Sequence, residues 1–122
     1  GVLKIKVWGT GKPKREFLHV DDMALASIHV MNLPLDNYRK NTESMLSHLN
    51  VGSGEDCTIY DLTNIIANVV GFNGEIQWDP SKPDGAPRKL MNSSKLKSMG
   101  WKPKINLDVG ISQVYAWFQK NN

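Results

Sequence analysis

The residues with the clearest chemical potential are cations, and they are concentrated in two parts of the chain. Twelve of the fifteen Lys and Arg residues lie within residues 1–15 and 82–104. The segment Lys82–Lys89 also holds two prolines and a glycine, which predicts a rigid loop. Arginine binds phosphate through a fork of donors and lysine binds it as a point charge. Lys82–Lys89, together with Lys14 and Arg15, therefore suggests a diphosphate site, although two solvated faces would give the same charge pattern.

The other chemically reactive residue types are better explained as structure. Gly9-Thr-Gly11 and Gly52-Ser-Gly54 lack the third glycine of a dinucleotide fingerprint and the Lys-Ser/Thr of a phosphate loop, so we interpret both as turns. The segment His19-Val-Asp21-Asp22 lacks further metal ligands and precedes a helix, which favours capping by aspartate. Cys57 is interpreted as a half-buried thiol. Trp8 could stack on a ligand or pack against the core.

Composition restricts the class of protein. The chain has 122 residues, of which 40% are hydrophobic and 22% charged, with a net charge of +3 and one cysteine. These values predict one folded domain and argue against a disordered, collagen-like or disulfide-framed chain. No apolar run approaches the roughly 20 residues that span a bilayer. The lone cysteine fits a cytoplasmic protein, and a chain that opens at Gly1 in a strand pattern suggests a piece of something longer.

The elements that must position the cations follow from hydrophobic periodicity. Alternation of strand and helix patterns predicts an α/β fold. Strands are predicted at residues 2–8, 16–20, 47–51 and 75–78, helices at 23–32, 58–70, 93–99 and 107–118, and loops at 34–45 and 80–87. Leu3, Ile5 and Val7 should form the buried face of the first strand. Thr58 and Gly71 carry the capping signals of the second helix.

Three segments resemble motifs of the extended short-chain dehydrogenase/reductases, the NAD-dependent epimerase/dehydratase family. Residues 7–24 are similar to its Gly-x-Gly turn followed by Arg, an acid, an aromatic residue and Val-x-Asp. Residues 49–54 resemble its late strand and turn, and residues 95–104 its Lys-x-x-x-Leu-Gly-Trp-x-Pro ending. The resemblance covers nearly the whole chain. It implies that residues 1–122 are the C-terminal nucleotide-sugar-binding portion of such an enzyme, without the N-terminal NADP-binding Rossmann domain.

The resemblance also implies an activity for the parent protein. The sequences of these segments are similar to those of enzymes that epimerise GDP-4-keto-6-deoxy-D-mannose at C3 and C5 and reduce its C4 keto group with NADPH. By this resemblance Trp8, Arg15, Asp84 and Lys89 would contact the nucleotide sugar, with Arg15 and Lys89 at the diphosphate and Asp84 at a ribose hydroxyl. The family's cofactor fingerprint, catalytic Ser and Tyr-x-x-x-Lys, and epimerising Cys and His have no counterparts here. We therefore expect no catalytic, cofactor or metal residue in this chain and no turnover from it alone.

The same resemblance predicts which surfaces lack partners. The helix that carries Ala24, Ile28 and Met31, and the strand at residues 49–51, should dock on the missing sheet and be exposed without it. The parent is expected to be a homodimer, with neither nucleic acid nor a membrane as partner. Two alternatives stay open: another nucleotide-sugar epimerase or dehydratase, and a small basic nucleic-acid-binding module. Few aromatic residues are interleaved with the cations, which disfavours the nucleic-acid module.

Overall fold

The computed structural model describes residues 2–122, in which strands and helices are mixed as the α/β prediction required. The elements are β1 Lys4–Trp8, β2 Lys14–Glu16, α1 Val20–Met31, α2 Leu35–Asn41, β3 Asp56–Thr58, α3 Ile59–Val70, β4 Glu75–Asp79, β5 Arg88–Lys89, α4 Ser94–Ser98 and α5 Leu107–Asn121. Among these residues there is no helix with the length and apolar character needed to cross a bilayer.

The strands form two small sheets. β1 pairs with β4 in parallel, with Lys4 opposite Glu75 and Trp8 opposite Asp79. β2 lies at the centre of the second sheet, antiparallel to β3 and parallel to β5. The predicted strands at 2–8 and 75–78 are confirmed, but the predicted burial of β1 is wrong, because Ile5 is exposed in this two-stranded sheet.

The core lies between α1 and the segment that begins with α4. Its buried apolar side chains are Ala26, Leu96, Met99 and Trp101. Two polar contacts attach α1 to the same region. The buried carboxylate of Asp22 accepts hydrogen bonds from the amides of Lys104 and Ile105, and Nε2 of His29 donates to the Met99 carbonyl oxygen over 2.9 Å. Residues 99–105 are therefore fixed along one side of α1.

The helix starts differ in how well local sequence predicts them. In α3 the prediction is confirmed: the Thr58 hydroxyl oxygen accepts the Asp61 amide at 3.0 Å, and Gly71 ends the helix at φ +70°. In α1 the predicted aspartate cap and the start at Met23 are wrong. His19 is the N-cap, and its Nδ1 accepts the Asp21 amide at 3.2 Å. Asp22 does not cap the helix, because its side chain points into the interior and accepts hydrogen bonds from other amides.

Other segments depart from the predictions. Residues 34–45 contain α2 instead of forming only a loop, with Asp36 in its first turn and basic residues in its last, an arrangement that the helix dipole favours. The predicted strand at 16–20 is displaced to β2, and β3 and β5 were not predicted. Residues 47–51 form no strand within residues 2–122, because a strand needs a hydrogen-bonded neighbour and none is supplied there.

One face of α1 is exposed, as predicted. Ala24 is exposed, Ile28 is 53% exposed and Met31 is 84% exposed. Side chains at this spacing lie along one side of a helix. This side of α1 is an apolar surface without cover among the described residues.

Candidate anion-binding site

The sheet β3-β2-β5 brings the two cationic parts of the chain together. In the parallel pair β2–β5, Lys14 lies opposite Arg88 and Arg15 lies opposite Lys89. The Lys14 amide donates to the Pro87 carbonyl oxygen at 2.9 Å and begins this pairing. Neighbouring strands are about 4.8 Å apart, so Arg15 and Lys89 present their charges from adjacent positions. The cations of residues 95–104 lie on and after α4, outside this sheet.

The Arg15 side chain is held against the loop between β4 and β5. Its Nη1 donates to the carbonyl oxygens of Lys14 at 2.6 Å and Ala86 at 2.7 Å. Nε and Nη2 have no hydrogen-bond partner within the described part of the chain. The guanidinium is therefore fixed through one nitrogen and has donors left for a ligand.

Arg15 and Lys89 form no ion pair with an acid among residues 2–122, and neither does Lys14, although its charge helps to lower the pKa of Asp56. Residues 2–122 contain three ion pairs between a carboxylate and a Lys or Arg, Lys4–Glu75, Lys6–Asp79 and Arg88–Asp56, and none includes those three cations. In the last of these pairs the Arg88 hydrogen bond holds the pKa of Asp56 below its usual range. Arg88 thus connects β5 to β3, and Arg15 and Lys89 remain available to an anion.

Trp8 and Asp84 border the same loop. Trp8 ends β1 with 70% of its surface exposed, and Nζ of Lys82 lies 5.4 Å from its ring centroid. Asp84 accepts the Thr10 amide at 2.8 Å and the Thr10 hydroxyl at 2.6 Å. The hydrogen bond from the Thr10 hydroxyl makes the largest contribution to lowering the pKa of Asp84. The Thr10 amide and the charge of Lys12 lower it further. The loop carrying Asp84 is therefore joined to the turn that follows Trp8.

Gly9 and Gly11 form the predicted turn after β1. Gly9 and Gly11 have φ of +85° and +75°. A Cβ at Gly11 would lie 2.8 Å from the Trp78 ring, and a Cβ at Gly9 would collide with the Asp84 carboxylate. An indole ring and a carboxylate therefore lie where a side chain at either position would project, which is a structural reason for glycine at both.

The remaining candidate residues are Cys57 and the histidines. Burial, followed by the carboxylates of Asp61 and Asp56, raises the pKa of the half-buried Cys57 thiol, so the thiolate is disfavoured. His29 has the structural contact described above, and His48 is exposed outside any strand. Within residues 2–122 no group of three or more His, Cys, Asp or Glu could hold a metal.

Sequence reasoning missed two residues that shape the site, Thr10 and Glu16. Thr10 is the partner of Asp84, and Glu16 accepts hydrogen bonds from Gly54 and Met91. Both contacts join residues far apart in the chain, so no local pattern marks them. For Glu16 the only signal was its place beside Arg15 in the family-like segment.

Part of the chain is similar to a known protein family. Residues 1–52 match the family model described as the NAD dependent epimerase/dehydratase family.

Individual proteins are similar to nearly the whole chain. GDP-L-fucose synthase of Escherichia coli strain K12 is 54% identical over 117 residues, which are 96% of this chain and 36% of the relative. A crystal structure of a GDP-6-OMe-4-keto-L-xylo-heptose reductase from Campylobacter jejuni matches with a TM-score of 0.86 and 40% identity, covering 98% of this chain and 34% of that chain. A GDP-mannoheptose C4 reductase from the same organism with NADP bound gives a TM-score of 0.79 at 40% identity, over 95% and 35% of the two chains. The chain thus spans about a third of the length of the relatives it matches.

Proposed function

We propose that residues 1–122 form the C-terminal nucleotide-sugar-binding domain of an enzyme that converts GDP-4-keto-6-deoxy-D-mannose to GDP-L-fucose. The reaction comprises epimerisation at C3 and C5 and NADPH-dependent reduction of the C4 keto group. The observation that carries this proposal is the pairing of Arg15 with Lys89, two cations without acidic partners among the described residues. The 54% identity to a GDP-L-fucose synthase supports it.

Each proposed binding residue has a distinct role. Arg15 directs its free guanidinium donors at the diphosphate, and Lys89 supplies a second positive charge beside it. The exposed ring of Trp8 offers a stacking surface to the nucleotide. Asp84 is already ionised and fixed by Thr10, and its remaining lone pairs accept a ribose hydroxyl. Together these groups hold the nucleotide part of the substrate and orient the sugar.

The chemistry itself requires groups that the described residues do not supply. NADP(H), when bound at its own site, supplies the hydride. We place that site in a Rossmann domain elsewhere in the parent protein. The exposed apolar face of α1 and residues 47–51, which have no strand partner among residues 2–122, support docking on such a domain. A homodimeric parent and a cytoplasmic location belong to the same proposal.

Calorimetric titration of GDP into the complete protein that carries these residues tests the binding role. R15A should weaken binding by roughly ten- to a hundredfold, because a hydrogen bond to a charged group contributes about 1.5–3 kcal/mol. K89A should weaken it about tenfold, at the lower end of that range, because lysine binds as a point charge. K120A is the control: it removes one positive charge from an exposed lysine on α5, as R15A and K89A do in the site, and it should leave the affinity for GDP unaltered.

Competing ligands separate the alternatives. GDP should bind more tightly than UDP or dTDP. Equal affinity for the three nucleotides would favour another nucleotide-sugar epimerase or dehydratase. Steeply salt-dependent binding of a polyanion such as heparin, without preference for GDP, would favour the nucleic-acid-binding module. An R15A variant that binds GDP as well as the unsubstituted protein would contradict the proposed site.

A further inference from the structure

We propose that Glu16 is a positioning residue of the anion site, whose carboxylate keeps Lys89 beside Arg15 by holding the strands on both sides of β2. The inference rests on the proposed function, because it assigns Lys89 and Arg15 to the diphosphate. Glu16 would not touch the ligand.

The contacts of Glu16 reach two separate parts of the chain. Its Oε1 accepts the Gly54 amide at 2.7 Å and lies 3.4 Å from the Ser53 hydroxyl, and its Oε2 accepts the Met91 amide at 3.0 Å. Gly54 lies two residues before β3, and Met91 lies two residues after β5. One half-buried side chain therefore joins both neighbouring strands of β2.

These contacts lie where the backbone ladder stops. β5 contains two residues, so its register with β2 consists of Lys14 opposite Arg88 and Arg15 opposite Lys89. Glu16 is the last residue of β2, and its side chain continues the connection to Met91 where no further backbone pairing is made. The Glu16–Met91 bond therefore holds β5 on the side beyond Lys89.

Apolar packing does not hold Lys89 in place. Every residue from 80 to 92 is exposed, so apolar contacts do not fix the position of Lys89. On the side before Lys89 the segment is held by polar contacts from Asp84, Ala86 and Pro87. Arg88 itself is fixed by Asp56. Beyond Lys89, the hydrogen bond from the Met91 backbone amide to the Glu16 carboxylate connects the chain to β2.

Glu16 can occupy this position without neutralising the site. Its carboxylate is satisfied by backbone amide and hydroxyl donors and forms no ion pair with a cation of residues 2–122. Carboxylates that accept backbone amides form strong charge-assisted bonds. The acid thus stabilises the backbone while Arg15 and Lys89 keep their charges for the ligand.

The test compares E16Q with E55Q in the complete protein, with GDP as the probe. In E16Q one oxygen becomes an amino group, which cannot accept a hydrogen bond from an amide, so GDP binding should weaken about tenfold. Glu55 lies next to the same turn, is exposed, and its carboxylate makes no hydrogen bond within residues 2–122. E55Q removes the same charge and should change the affinity less than about twofold.

A double-mutant cycle with K89A distinguishes positioning from a general loss of structure. If Glu16 acts through Lys89, E16Q should weaken binding less than about twofold when Lys89 is already alanine. The same tenfold loss with and without Lys89 would overturn the inference, as would an E16Q variant with unchanged affinity. Where E16Q does not fold, E16D replaces it in the same cycle, since its shorter side chain cannot reach both strands. Absence of GDP binding by the unsubstituted protein would refute the proposed function and this inference with it, whereas binding that E16Q leaves intact refutes the inference alone.

Discussion

Removing the charge of Asp22 should loosen the attachment of residues 104–105 to α1. The Asp22 side chain is almost fully buried, and its two oxygens accept the Lys104 amide at 3.0 and 3.1 Å and the Ile105 amide at 2.9 Å. In D22N one acceptor becomes a donor that faces an amide, and the remaining bond loses its charge. A net bond to a charged group contributes about 1.5–3 kcal/mol, so we expect a loss of about 2–3 kcal/mol.

Native-state amide hydrogen exchange measures this loss at the residues concerned. A loss of about 2–3 kcal/mol corresponds to exchange that is roughly 30- to 150-fold faster at Lys104 and Ile105, with less change in α3. D21N is the matched control, because the Asp21 side chain is 71% exposed and accepts no amide. Acceleration of less than about threefold in D22N, or equal effects of D21N and D22N, would refute the assignment of Asp22 as the anchor.

Three further outcomes test other parts of the structure. Arg88 lowers the pKa of Asp56, so the pair should contribute its full stability above the ordinary Asp pKa of 3.8. That contribution should be lost as the pH falls through the lower pKa of the folded state. The difference in unfolding free energy between D56N and the unsubstituted protein should therefore be constant between about pH 5 and pH 7 and vanish in acid. G11A should destabilise more than G71A in thermal unfolding, because both glycines have positive φ but only a Cβ at Gly11 would approach Trp78, at 2.8 Å; equal losses would contradict this reasoning. Residues 1–122 alone should not oxidise NADPH in the presence of GDP-4-keto-6-deoxy-D-mannose, and a spectrophotometric decrease above background would show that catalytic groups lie within them.

Local signals were sufficient for the parts of the fold that depend on near neighbours. The capping of α3 by Thr58 and Gly71 is decided within one helix, and the structure confirms it. Asp22 resembled a helix cap by the same local criteria. The prediction was wrong because its carboxylate binds amides more than 80 residues away, at Lys104 and Ile105. Long-range competition of this kind is not visible in a window of sequence.

Strand predictions failed where the partner was decisive. Residues 47–51 have a strand pattern and no partner among residues 2–122, whereas β5, with only two residues, is too short to give any pattern. In the candidate site, too, some features could be predicted from the sequence and others depend on long-range pairing. Charge clustering identified the two cationic segments, and the family resemblance named Arg15 and Lys89. The register that places these two side by side, and the Glu16 contacts at its end, required the tertiary structure.

The parallel pairing of β2 with β5 has a consequence for folding and for ligand linkage. Arg15 and Lys89 have the same sequence separation, 74 residues, as the bonded pair Thr10 and Asp84. Closing a flexible loop of that length costs on the order of 4 kcal/mol in chain entropy, so the two charges meet only after the intervening chain has folded. An unfolded or partly folded chain then has no site to offer. A diphosphate present at about a hundred times its dissociation constant would stabilise the native state by about 2.7 kcal/mol.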